Sequence, residues 1–379
     1  VDVARLKDSW RAVAAHGDQV PLFFYSSLFL SHPETRELFP TGMAGQRDRL
    51  VSALGRIVSQ VDQVDELLPF LQGLGKDHRR FAVVAEHYPA VGAALLDTLA
   101  HFLGPAWTDE LASDWTAAYG LVAKVMTEAA DEAAKVCPPW WDAEIISHER
   151  RGMDVAVFTV RPNYQLDFRP GQSVAAESNL RPKLWRYLTP ANAPRADGTI
   201  DFHVRQVDGG IVSPVLVHGV RPGDFLRLGS PVGERLTLSG EADAVLIAGG
   251  TGIAPFRAII EQVAAEHTAG GTRKVHLFAG AALSFYLYDL DGLRKLGEEH
   301  PWLTVVPCVS QGPAPADART GDAVDVALRH STWADQDFYV CGSPQMVAGT
   351  VRRLREEGVP DDRVRTEEFG SDTPIGGTS

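Results

Sequence analysis

Ala244-Val-Leu-Ile-Ala-Gly-Gly-Thr-Gly-Ile-Ala-Pro255 decides the fold of the C-terminal part of this chain. Its first five residues are an unbroken apolar run, the pattern of a strand buried on both faces. The glycines that follow let a backbone turn approach a phosphate closely. A helix starting behind them would present unpaired N–H groups and the positive end of its dipole. A glycine-rich turn alone is often only a tight turn. The strand before it and the proline at the start of a helix after it point to a dinucleotide site, with Gly250, Thr251, Gly252, Ile253, Ala254 and Pro255 as the expected contacts.

Working outward, Lys274–Ala279, Leu303–Cys308 and Asp337–Cys341 read as further strands, with helical pattern between some of them, as in Val347–Glu357. Strands alternating with helices imply a parallel α/β sheet. Tyr339-Val-Cys-Gly-Ser-Pro-Gln-Met346 puts a second turn, Cys341-Gly342, at the C-terminal tip of a buried strand, where open α/β sheets bind ligands. Taken alone, Cys341 would be a core cysteine; with the first turn it can face one crevice. Upstream, Asp154–Val160 and Ile200–Arg205 alternate, and turn signals recur at Arg169–Gly171, Asp208–Gly210 and Arg221–Asp224, which suggests a small antiparallel barrel. Before Cys137-Pro-Pro-Trp-Trp141 glycine and proline are sparse and the apolar period is helical. Leu22, Phe23, Ser26, Phe29 and Leu30 fall on one face, as do Leu95, Leu96, Leu99 and Phe102. The expectation is a multidomain protein with an all-α region of six or seven helices over 1–136, an antiparallel β-barrel over 140–238 and an α/β parallel-sheet domain over 239–379.

The bulk numbers narrow the classes. The 379 residues are 45% apolar with a net charge of −13, enough for packed cores and unfavourable for nucleic acid or anionic membrane. No apolar run reaches the roughly 18 residues of a membrane helix, and Val1-Asp-Val-Ala-Arg5 has no signal-peptide character. Three cysteines argue against a disulfide framework and cannot build a four-cysteine cluster within one chain. The expectation is a reduced, cytoplasmic protein with small-molecule partners, without stable membrane association, and a monomer or weak oligomer.

The reductase-like motifs resemble the ferredoxin–NADP reductase superfamily, over about residues 140–370. Arg186-Tyr-Leu-Thr189 stands where that family has Arg-x-Tyr-Ser/Thr. The resemblance implies FAD held by Arg186 as a forked, charge-assisted donor to its pyrophosphate, and by Thr189 at the isoalloxazine edge. Leu188 replaces the ring-stacking tyrosine; Tyr187 is adjacent but belongs to the opposite face of a strand. Gly209-Gly-Ile-Val-Ser213 matches the second phosphate loop, with Gly210, Val212 and Ser213 implied; without the family it is an ordinary turn. Glu367-Glu-Phe-Gly370 resembles the C-terminal segment whose aromatic residue, here Phe369, covers the flavin; Glu367 accompanies it. Gly280-Ala-Ala282 lacks the arginine that often holds the cofactor's adenosine side, which favours NADH over NADPH.

The helical region ahead of such a reductase resembles the globin of the bacterial flavohaemoglobins. Tyr25, Phe39, Gln46, Leu50, His78 and Tyr88 occur in the family's order. By that resemblance His78 is the proximal ligand of a haem b iron, Tyr25 and Gln46 the distal polar pair, Phe39 and Leu50 apolar haem contacts, and Tyr88 the tyrosine near the histidine. Two positions depart: Ala130 stands where the family's glutamate supports the proximal histidine, and Asp77 replaces a lysine. The implied function is an NAD(P)H-dependent flavohaemoprotein that passes electrons from NADH through FAD to haem and oxidises nitric oxide with O2 to nitrate. The alternatives are a reductase for another acceptor (ferric chelate, quinone or oxygen), with the globin as a gas-binding or sensor module.

Overall fold

The computed structural model describes residues 1–333 and 335–369. The chain forms two compact units, Val1–Trp140 and Trp141 onward.

The first unit is helical: α1 (Val3–Ala14), α2 (Gln19–Ser31), α3 (Ala44–Ser59), α4 (Val64–His78), α5 (Tyr88–Leu103) and α6 (Asp109–Ala134), with short 3-10 turns between. Asp2 caps α1 through Arg5 N–H, and Thr108 caps α6 through Leu111 N–H, each side chain meeting a donor that the helix leaves unpaired. One expectation is corrected. In α2 the buried residues are Val20, Pro21, Phe24, Tyr25 and Leu28, while Leu22 and Leu30 are exposed. Apolar residues fill nearly every face of Val20–Leu30, so spacing alone does not single out the core-facing stripe. Helices α4 and α6 touch at Gly75, where an added Cβ would lie 2.2 Å from the Met126 carbonyl oxygen. That close approach fixes α4 three residues before His78.

The second unit begins with an antiparallel sheet: β1 (Trp141–Arg151), β2 (Val155–Pro162), β3 (Ser173–Ser178), β4 (Arg186–Leu188), β5 (Ile200–Arg205) and, after α7 (Ser213–His218), β6 (Phe225–Val232). The strand order is β4-β3-β6-β1-β2-β5, and a bridge between Pro190 and Phe202 joins the two edges. Alternation decides what faces where. Along β5, Ile200, Phe202 and Val204 are buried, which turns Asp201, His203 and Arg205 to the other face.

A parallel sheet follows, of β7 (Ala244–Gly249), α8 (Ile253–Thr268), β8 (Val275–Ala281), α9 (Leu290–Glu299), β9 (Leu303–Val309), β10 (Arg319–Thr320), α10 (Ala323–His330), β11 (Asp337–Gly342), α11 (Pro344–Glu356) and β12 (Val364–Glu368), with strand order β10-β9-β8-β7-β11-β12. The unbroken apolar run of β7 has its reason here. Leu246 and Ala248 pack with Phe256, Ile260 and Val263 of α8 and Leu293 of α9. Val245 and Ile247 pack with Val324 and Val326 of α10 and Val347 and Leu354 of α11. The fold class is the expected one: a helical N-terminus, an antiparallel sheet and a parallel sheet.

Candidate functional sites

In the second unit a cavity of about 1260 Å³ runs along the C-terminal ends of the parallel strands and the neighbouring edge of the antiparallel sheet. The two turns singled out in the sequence share it. β7 and β11 are neighbours with Ala248 opposite Cys341, and an added Cβ on Gly342 would lie 3.3 Å from Gly249 Cα. An added Cβ on Gly252 would lie 2.1 Å from the Cys341 carbonyl oxygen, so only glycine lets these strand tips meet. Gly250, at φ +55°, turns the chain toward α8. Thr251, Gly252, Ile253, Ala254 and Pro255 are buried; of these, Thr251 and Ala254 line the cavity. Cys341 is fully buried, and burial pushes its thiol well above the usual range, so it is a packing residue rather than a nucleophile.

At one end of the cavity stand Arg186, Tyr187, Leu188, Thr189, Glu367 and Phe369. Tyr187 is there although strand alternation puts it opposite Leu188. β4 is a three-residue strand at a sheet edge, and both of its faces border the cavity. Arg186 donates from Nη1 to the Trp185 carbonyl at 2.8 Å. Ser173, which sequence reasoning missed, bonds Thr189 Oγ1 at 2.7 Å and Glu367 Oε1 at 2.9 Å. Burial pushes the Glu367 carboxyl up to about 7. A chain of two hydroxyls and a carboxyl titrating near neutrality can relay a proton. The Phe369 N–H donates to the Gly342 carbonyl at 2.8 Å, which ties the C-terminal aromatic to the second turn. Gly370 lies outside the described residues.

The expected second phosphate loop, Gly209–Ser213, lines the cavity. Ser213 Oγ accepts the Val207 N–H at 2.9 Å and closes the Val207–Gly210 turn. Gly210 has no room for a side chain, since its Cβ would lie 2.9 Å from the Val207 carbonyl oxygen. Val212 is buried.

Arg205 is the second residue that sequence reasoning missed. Its Nε donates to Asp154 at 2.7 Å and its guanidinium lies over the Tyr286 ring at 4.9 Å. Held on these two sides, it brings Nη1 within 3.4 Å of where a Gly250 Cβ would stand. The signal was the alternation of β5, which places Arg205 and His203 on one face. His203 Nδ1 meets the Tyr288 hydroxyl at 2.8 Å, and burial, aided by Arg257, pushes its pKa down to about 3, so it is neutral.

In the helical unit the site is made of isolated side chains. His78 ends α4, with Nδ1 donating to the Leu74 carbonyl at 2.7 Å, an arrangement that fixes the tautomer and leaves Nε2 as the acceptor. Burial pushes its pKa down and favours the neutral, ligand-competent imidazole. Asp77 pairs with Arg80 at 3.4 Å. Ala130 brings no carboxylate, and Glu128 and Glu132 are exposed, paired with Lys124 and Lys135. Tyr88 is half-buried, and its backbone carbonyl accepts the Tyr119 hydroxyl at 2.6 Å.

Tyr25 is buried and stacks edge-on with Phe39, ring centres 5.4 Å apart. Its hydroxyl donates to the backbone carbonyl of Gln46 at 3.4 Å, and burial pushes its pKa up to about 12. Gln46 and Leu50 lie one turn apart on α3, both half-buried.

The apolar core of this unit divides into two clusters, and side chains of both keep accessible surface: Phe39, Leu50 and Leu54 in one, Phe70, Leu74 and Tyr88 in the other. Among the described residues no three His, Cys, Asp or Glu side chains converge as a metal cage. An iron on His78 would therefore bring its own equatorial ligands. An uncommitted imidazole nitrogen among incompletely packed apolar side chains fits a haem.

Comparison with known proteins gives the families of these regions. Residues 22–126 match the globin family, 142–236 the oxidoreductase FAD-binding domain and 246–352 the oxidoreductase NAD-binding domain. The chain thus joins a globin, an FAD-binding and an NAD-binding domain in that order, the organisation of the flavohemoproteins it is similar to. It is 25% identical to a flavohemoprotein of Bacillus subtilis over 389 residues, covering 96% of each chain. A flavohemoglobin of Malassezia yamatoensis, solved with FAD and heme, shares the fold, at TM-score 0.74 and 17% identity over 97% of this chain and 98% of that one. The reductase part shares its fold with the flavohem-like FAD/NAD-binding domain of the nitric oxide dioxygenase of Vibrio cholerae, at TM-score 0.54 and 22% identity over 61% of this chain and 99% of that one. The cofactors of these domains are haem, FAD and NAD. Among the described residues no helix is long and apolar enough to cross a membrane.

Proposed function

We propose that this flavohaemoglobin-type oxidoreductase takes electrons from NADH and uses them to oxidise nitric oxide with O2 to nitrate, with a globin domain over 1–136, an FAD-binding barrel over 140–238 and an NAD-binding domain over 239–379. FAD would convert the two-electron donor into single-electron steps, and haem would supply the iron that handles the gases.

The chain's own residues have distinct tasks. Arg186 and the Gly209–Ser213 loop hold the flavin pyrophosphate, and Thr189 contacts the isoalloxazine edge. Arg205 and the Gly250–Thr251 turn hold the pyrophosphate of the incoming nucleotide, a forked cation beside a helix N-terminus. Phe369 covers the position that nicotinamide must reach. Ser173 and Thr189 connect that position to Glu367, which is poised to exchange a proton near neutral pH. In the globin, His78 would hold the iron through Nε2, Phe39 and Leu50 would pack on the haem, Tyr88 would stand near His78, and Tyr25 and Gln46 would provide polar contacts to a bound gas. The high pKa of the Tyr25 phenol keeps it a donor at any physiological pH.

The observation that carries this reading is His78: a neutral imidazole with Nδ1 tied to Leu74 and Nε2 uncommitted, in one chain with a complete reductase cavity. The test is consumption of nitric oxide by the holoprotein with NADH and O2. Nitrate should appear in step with NADH oxidation; NADH oxidation without loss of nitric oxide overturns it. A second reading, reduction of another acceptor such as a ferric chelate or quinone, is favoured by one feature. His78 Nδ1 bonds a neutral carbonyl rather than a carboxylate, so its imidazole is a weaker electron donor.

A further inference from the structure

The cavity of the reductase has two ends and a fixed middle. The middle is the Gly249–Thr251 turn at the start of α8, with Arg205 across from it. One end holds Thr189, Glu367 and Phe369. The other is formed by the tips of β8 and β9 and the start of α10, with Ala281, Ala282, Ser310 and Asp322 on its wall. If the cavity binds a pyridine nucleotide, as proposed above, hydride transfer requires the nicotinamide at the flavin end. The pyrophosphate on the glycine turn then directs the adenosine to the far wall.

The charged residues on that wall are Asp322, Asp325, Arg352 and Arg353. Asp322 occupies the N-cap position of α10, yet its side chain makes no cap hydrogen bond, and among the described residues it has no hydrogen-bond or ion-pair partner. Its carboxylate is exposed at the cavity rim. The two cations on that wall are already engaged by carboxylates, and Arg329, beside Gly321, donates to the Thr320 carbonyl at 3.4 Å. Arg353 is bound by Asp325 at 3.0 Å, by Glu356 at 2.7 Å and by Glu357 at 3.6 Å. Arg352 is directed to Glu356 at 4.0 Å. An uncommitted carboxylate can accept hydrogen bonds from vicinal ribose hydroxyls, and it repels a phosphate at the same place.

We infer that Asp322 is the specificity-determining residue that makes this reductase select NADH over NADPH, by receiving the adenosine ribose hydroxyls and rejecting a 2′-phosphate. Sequence pattern pointed to NADH only through a missing arginine at Gly280–Ala282; the structure adds a carboxylate that acts against the phosphate.

The experiment compares wild type, Asp322→Ser and Asp322→Arg, all FAD-loaded, with two readouts: steady-state reduction of a soluble dye by NADH and by NADPH, and calorimetric binding of NAD+ and NADP+. Serine preserves the N-cap chemistry of α10, so a folding defect does not confound the result. Wild type should favour NADH on the order of a hundredfold. Asp322→Ser should narrow the ratio about tenfold through a lower KM for NADPH at unchanged kcat, and Asp322→Arg should narrow it further, from the size of a charge–phosphate interaction at partly solvated range. NADP+ binding should tighten in parallel. A ratio unmoved in both variants, or a wild type that accepts both nucleotides equally, overturns the assignment of Asp322 while leaving the nucleotide site intact. A wild type that binds and oxidises neither nucleotide overturns the nucleotide site, and the assignment with it.

Discussion

The two units solve the problem of holding a cofactor in opposite ways. The reductase cavity is built largely from backbone: glycine turns at the tips of adjacent strands, positioned by the register of β7 and β11. The globin site is built from single side chains on α2, α3, α4 and α5, among apolar residues that keep part of their surface accessible. Each backbone turn is contiguous in sequence and depends little on the identity of nearby side chains. A side-chain site is scattered and depends on one atom, here His78 Nε2.

That contrast can be broken most sharply at His78. His78→Ala should abolish haem retention, read as loss of the Soret band, while NADH-dependent reduction of a soluble dye continues at the wild-type rate. Loss of both activities would mean that the sites are not separable. The next largest effect belongs to Arg205, the cation held beside the Gly250 turn. Arg205→Gln removes a charge-assisted fork and should raise the KM for NADH by about 10–100-fold, with FAD content unchanged. Co-purification without FAD would assign Arg205 to the flavin instead.

The smallest effect concerns Glu367, whose folded pKa of about 7 lies above its ordinary value because of burial. A carboxyl raised in this way stabilises the fold fully below its unfolded pKa, and that contribution is lost as pH rises through about 7. Glu367→Gln, which cannot ionise, should flatten the decline in Tm between about pH 5 and 8, by roughly 2–4 °C at the upper end. An unchanged pH profile would show that Glu367 stays ionised throughout.

The same contrast explains what could be read from sequence. The stretch Ala244–Pro255 carries strand, turn and helix start in adjacent residues, so its fold was legible without any tertiary information. Arg205 was not, because its relevance arises when β5 is laid beside the Gly250 turn. Ser173 follows an ordinary turn and acquires its place only through partners 16 and 194 residues away. In the helical unit, the run Val20–Leu30 is apolar all round, and the face carrying Tyr25 emerged only from packing. Tyr25, Gln46 and His78 were found by their order along the chain, a resemblance that spacing alone would not have supplied. The absence of a carboxylate at Ala130 was legible, whereas the bond from His78 Nδ1 to the Leu74 carbonyl required the structure.

The most direct test of the account is the absorption spectrum of the purified protein, before and after addition of NADH in the absence of oxygen. The account predicts a haem Soret band that moves to the ferrous position while the flavin bands bleach. A flavin spectrum that bleaches with no haem band, or a haem band that NADH leaves unmoved, would contradict electron transfer from the reductase to iron on His78.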